Sequence, residues 1–137
     1  MLRSICVLGQ MDGFREFLEE RLERAGAELV GVNKYADFKI CIGINEKCDL
    51  SLDSHGSENT LSTVAIGIED VIIPSGARDW GNGKILDWID CIKKGHDPTT
   101  EDKIRYWVNI RDVVEAITTI SMFEGEIGLY DQVKICG

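Results

Sequence analysis

The chain has 137 residues, 44% of them apolar and 28% charged, which suits one globular domain whose core needs no disulfide or metal to hold it. Its 24 acids and 15 bases leave a net charge of −9, which argues against nucleic acid or an anionic membrane as the main partner. No stretch approaches the ~18 apolar residues of a membrane span, and the opening run to Gly9 does not have the make-up of a signal peptide.

In chain order, Ser4 to Leu8 is a short apolar run closed by Gly9, the profile of a strand buried on both faces. Asp12 stands where a helix N-cap belongs. Phe14, Phe17, Leu18, Leu22 and Ala25 then recur at helical spacing, and Gly26 is placed to end the helix in a left-handed turn. Leu29–Val32 reads as a second strand and Phe38–Ile44 as a third. Strand, helix and strand in this order predict a right-handed βαβ unit with a parallel sheet. Residues 45–62 are polar, rich in turn formers and without a helical stripe, and they read as a long surface loop.

Thr63–Ile68 is a fourth strand, and Val71–Ile73 either extends it or starts another. Residues 74–83 form a glycine-rich loop. Ile85, Leu86, Trp88, Ile89 and Ile92 make a helical stripe that stops at Gly95, with Trp88 read as a core residue. Tyr106–Ile110 is extended, Asp112 reads as the cap of a helix running to Ile120, and 127–136 reads as a last strand. The fold expected is α/β: a small, mostly parallel Rossmann-like sheet flanked by helices in three layers. The stripe on Ile85–Ile92 and the helix Val113–Ile120 are the candidate surfaces for a homo-oligomer.

Chemistry-bearing clusters are few. Cys6, Cys41, Cys48, Cys91 and Cys136 are scattered, odd in number and mostly within apolar runs, the pattern of reduced, buried thiols in a cytoplasmic setting. With no CxxC and only His55 and His96, no zinc set forms. Asp49, Asp53 and Glu58 lack the spacing of a calcium loop and read as solvated acids. Asp53, His55 and a serine at Ser51 or Ser54 are too local for a hydrolase triad.

Two blocks bear a likeness. Val7-Leu8-Gly9-Gln10-Met11-Asp12-Gly13-Phe14-Arg15-Glu16-Phe17-Leu18 is similar to the opening strand, turn and helix of the extended short-chain dehydrogenase/reductases, the NAD-dependent epimerase/dehydratase family that acts on nucleotide sugars. Further on, Gly67-Ile68-Glu69-Asp70-Val71-Ile72-Ile73-Pro74 resembles that family's R-x-x-N-V-Y-G-P strand end. Arg78-Asp79-Trp80-Gly81-Asn82-Gly83 is similar to its next loop. Arg105-Tyr106-Trp107-Val108-Asn109-Ile110-Arg111-Asp112-Val113 resembles its R-D-F-V-x-V-x-D-V segment, and Val133-Lys134-Ile135-Cys136-Gly137 its Y-N-I-C-S-G strand. The resemblance implies a cofactor site at Gly9, Gln10, Met11, Asp12, Gly13, Phe14 and Asn33, taking NAD or NADP. It also implies a substrate site at Asp70, Arg78, Trp80, Asn82 and Arg105, with the arginines gripping a pyrophosphate.

The departures are equally specific. The segment that would carry the family's catalytic Tyr-x-x-x-Lys helix has no counterpart, and the one such string, Tyr35 with Lys39, falls between the second and third strands. A loop tyrosine and a solvated lysine is the better reading of that pair. Of the three fingerprint glycines only Gly13 remains, with Gln10 and Glu16 at the other two positions. Asn33 replaces the expected ribose-binding acid. The sequence therefore leaves three readings open: a catalytically degenerate protein that keeps a nucleotide or nucleotide-sugar pocket, an interaction scaffold that has lost it, and a reduced enzyme completed by a second chain.

Overall fold

The computed structural model describes residues 3–9, 11–54, 61–68, 70–74, 80, 82–97, 107–123 and 132–135. Alternation of the apolar side chains builds a six-stranded sheet. Its strands are β1 (Ser4–Gly9), β2 (Glu28–Leu29), β3 (Phe38–Ile42), β4 (Cys48–Ser54), β5 (Ser62–Ile68) and, last in the chain, β8 (Gln132–Ile135). The order is β2-β1-β3-β4-β5-β8, and every neighbouring pair is parallel. This is the expected α/β, Rossmann-like sheet. Two further strands, β6 (Val71–Ile72) and β7 (Val108–Asn109), pair with each other beyond the end of β5.

One face of the sheet presents Ile5, Val7, Ile40, Ile42, Leu50, Leu52, Val64, Ile66 and Ile68 to two helices. Helix α1 (Gly13–Arg24) buries Phe14, Leu18 and Leu22, and α3 (Ile110–Met122) buries Val113, Val114 and Ile117 in the same cluster. Each large side chain buried in this way contributes roughly 1.5–3 kcal/mol. α1 starts at Asp12, whose Oδ1 accepts the Arg15 N–H at 2.8 Å, and it ends before Gly26 at φ +96°, where only glycine is unstrained. α3 starts one turn earlier than the sequence suggests: Asn109 is the N-cap, accepting the Arg111 N–H, and Asp112 lies exposed in the first turn. An acid there still favours the helix dipole, which is why it resembles a cap. Because Val113, Val114 and Ile117 are spent on the core, α3 is corrected as a candidate oligomer surface.

The opposite face is different. Residues 43–47 alone join β3 to β4, and 55–61 join β4 to β5, whereas a parallel crossover usually takes about a dozen residues or more and a helix. Apart from Leu8, the strand residues Cys6, Cys41, Ser51, Ala65 and Gly67 on this face are small. Its apolar cluster of Cys6, Leu8, Cys41 and Cys48, flanked by Val30, Ala36 and Ile44, includes no helical residue among those described.

β4 corrects the expected loop over 45–62. Leu50 and Leu52 point into the core, while Asp49, Ser51 and Asp53 alternate to the other face, so half the strand is polar. Neither acid there is a solvated loop residue. Asp49 accepts the Lys39 N–H at 2.8 Å, and Asp53 is buried, as is Ser51, whose hydroxyl pairs with Ser62 at 2.9 Å. The second strand is shorter than expected, with Val32 left exposed. Helix α2 (Asn82–Lys93) packs less deeply than its stripe predicts: Ile89 and Ile92 are exposed, and Trp88 is half-buried, edge-on to Trp107 at 6.2 Å. Among the described residues no helix is long and apolar enough to cross a membrane.

Candidate functional site

β2 and β3 flank β1 on opposite sides, so the chain leaves β1 in one direction and later returns on the other. Open α/β sheets place their ligand crevices at such a switch point, outside the carboxyl ends of the strands. β1 reaches that edge at Gly9, opposite Ile42 of β3. Gly9 has φ +127°, and a Cβ there would stand 2.3 Å from the Ile42 carbonyl oxygen. Both the backbone angle and the close approach require glycine. Arg15 locks the turn that follows: its Nη1 donates to the Gly9 carbonyl at 2.6 Å, Nη2 to the Val7 carbonyl at 3.1 Å, and Nε to Glu19 at 2.8 Å.

The second wall comes from the loop that begins after β6. Asn82, fully buried at the start of α2, accepts the Ile73 N–H and donates to the Ile73 carbonyl, both at 3.1 Å. The Val71 N–H donates to the Trp80 carbonyl, and the Val108 N–H to the Asp70 carbonyl. These bonds clamp both ends of the loop and join it to β7. They also hold Asp70 and Trp80 at φ +50° and +56°, the two described non-glycine residues in the left-handed region. Each such residue stores roughly 1–3 kcal/mol, and such strain concentrates at ligand sites. Asp70 is buried.

The two walls meet. The Trp80 ring lies against Phe14 with centroids 4.7 Å apart and planes tilted by 32°, and Trp80 Nε1 donates to Asp12 Oδ2 at 3.3 Å. One Asp12 carboxylate therefore serves both sides, capping α1 with one oxygen and receiving the indole N–H with the other. The structure thus brings together Gly9, Asp12, Gly13 and Phe14 with Trp80, and it ties Asn82 and Asp70 to the same loop. Met11 is exposed beside them. Asn33 stands exposed in the turn after β2. Gln10, Arg78, Gly81 and Arg105 lie outside the described residues.

No family model, curated protein or solved structure matches this chain.

Tyr35 is 84% exposed in the irregular segment between β2 and β3, with no helix to carry it, and Lys39 lies within β3. Sequence reasoning passed over Arg15, two of whose guanidinium contacts tie α1 to the Gly9 and Val7 carbonyls of β1. Its i,i+4 spacing to Glu19 was visible, but its reach back to backbone carbonyls was not. Cys6, Cys41 and Cys48 are buried, and burial pushes the Cys41 and Cys48 thiols up, away from thiolate. Cys91 is half-buried, and Cys136 lies outside the described residues. No group of three potential metal-ligating side chains occurs among the described residues.

Proposed function

We propose that this protein is a catalytically degenerate, epimerase/dehydratase-like binding protein that takes a nucleotide or nucleotide-sugar at its switch-point crevice. One observation carries the reading. Two sequence blocks, each similar to that family at a ligand-contacting turn, meet through Trp80, Phe14 and Asp12 at the edge where open α/β sheets bind ligands. The strained Asp70 and Trp80 support it, since the backbone there is held against its preference. Trp80 offers an aromatic face for a base or sugar. In a chain of net charge −9, arginines must compensate a pyrophosphate, and Arg78 and Arg105 are the residues whose sequence context assigns them that task.

The test is a thermal-shift and native mass-spectrometry panel of UDP-, GDP- and dTDP-sugars with NAD(H) and NADP(H). A stoichiometric nucleotide-sugar adduct is expected, weakened by about 2–5 kcal/mol in Arg105→Ala with the fold intact. No adduct, together with an Arg105→Ala variant that fails to fold, refutes it.

The scaffold reading has one observation in its favour. Ile89 and Ile92 on α2 are 44% and 64% exposed, an apolar stripe that self-association would cover.

A further inference from the structure

Dinucleotide phosphates in this fold class sit on the N-terminus of the first helix, where free N–H groups and the helix dipole favour an anion. Here that position already holds an anion. The Asp12 carboxylate accepts the Arg15 N–H with Oδ1 and the Trp80 indole N–H with Oδ2. Trp80 in turn lies on Phe14, the second residue of the helix, so its ring closes over the first turn. Glu16, exposed in that same turn, adds a second negative charge. Arg15, the one cation of the first turn, has Nε, Nη1 and Nη2 committed to Glu19 and to the Gly9 and Val7 carbonyls. A pyrophosphate arriving here meets a carboxylate in its place and no uncommitted first-turn cation.

We infer that Asp12 determines the ligand class of the crevice: its carboxylate, held under Trp80, excludes dinucleotide pyrophosphates from α1 and leaves the site to ligands whose phosphates lie away from that helix. This deepens the proposed function and rests on it for the ligand admitted, but the exclusion itself is measurable separately. Like-charge juxtaposition is the kind of repulsive element by which binding sites reject wrong partners.

The experiment titrates NADH into the wild type, Asp12→Asn and Asp12→Ser, with a UDP-sugar as the parallel probe. Asparagine and serine are both good N-caps, so α1 keeps its start while the charge goes. Melting curves confirm that each variant is folded. The wild type is expected to show no saturable NADH binding, and the variants to bind NADH at least about tenfold tighter than the wild-type limit. UDP-sugar affinity should change far less.

A further arm uses the wild type alone: inorganic pyrophosphate should leave the Gly13 and Phe14 amide resonances where they are. Saturable wild-type NADH binding, pyrophosphate shifts at those amides, or no gain in either folded variant overturns the assignment. Loss of UDP-sugar binding throughout, with the NADH gain intact, overturns the proposed function and leaves the role of Asp12 standing.

Discussion

At Gly9 two demands coincide, a backbone angle of +127° and a carbonyl that a Cβ would strike at 2.3 Å. Because that carbonyl belongs to Ile42 of the adjacent strand, relief would require β1 and β3 to part at the switch point. Gly9→Ala should therefore cost roughly 2–5 kcal/mol, the strain and overpacking terms together, read as a lower urea midpoint. Thr118 presents the reverse case. Its Oγ1 is buried without a hydrogen-bond partner among the described residues, while neighbouring Ser121 bonds the Ile117 carbonyl. Thr118→Val keeps the shape and removes the unmet polar atom, so it should stabilise the fold by about 1 kcal/mol, visible as a higher melting temperature. Asp12 was legible in the sequence as a helix cap, because capping is local. Its second partner, Trp80, lies 68 residues away, and no local rule carries that information.

Among the elements, α1 and α3 form a helical layer over the apolar face, and Arg21 of one bridges Glu115 of the other, Nε to Oε2 at 2.6 Å and Nη2 to Oε1 at 2.9 Å. The hydrogen bond from Arg21 holds the Glu115 carboxyl below its ordinary value, and the Ser4 backbone N–H does the same for Asp37. A carboxylate depressed in the folded state contributes stability that is present above its unfolded pKa and lost as pH falls through the lower folded value. Acid titration of the melting temperature should therefore decline below about pH 4.5, and Glu115→Gln should flatten part of that decline while lowering stability slightly at pH 7. A slope unchanged by Glu115→Gln would contradict the linkage.

The strands β1, β3 and β5 and helix α1 were readable from the sequence because apolar periodicity dominates them. β4 was not, because composition masked pattern: Asp49-Leu50-Ser51-Leu52-Asp53 alternates strictly, yet its polar half made the whole segment resemble a loop. The depth of packing of α2 was equally hidden. A stripe of Ile85, Leu86, Trp88, Ile89 and Ile92 announces an amphipathic helix but not whether its partner lies in the same chain.

For the whole molecule, short β3–β4 and β4–β5 connections and a polar strand on the second sheet face give an economical version of the Rossmann-like architecture. With Tyr35 exposed ahead of the amino end of β3, no hydride transfer with NAD or NADP is expected. Turnover that Tyr35→Phe abolishes would contradict that. Self-association is expected through α2, so Ile89→Asp with Ile92→Asp should lower the molar mass seen by light scattering at tens of micromolar, and a wild-type monomer there would remove α2 as an interface. The central claim is that the sheet edge where Gly9, Asp12 and Phe14 meet Trp80 is a ligand site. Its most direct test is a 15N–1H chemical-shift titration of the wild type with UDP-, GDP- and dTDP-sugars. The account predicts saturable shifts concentrated on Gly9, Met11, Asp70, Trp80 and Asn82, with the outer face of α2 unmoved. Shifts scattered elsewhere, or none from any of the three sugars, would contradict it.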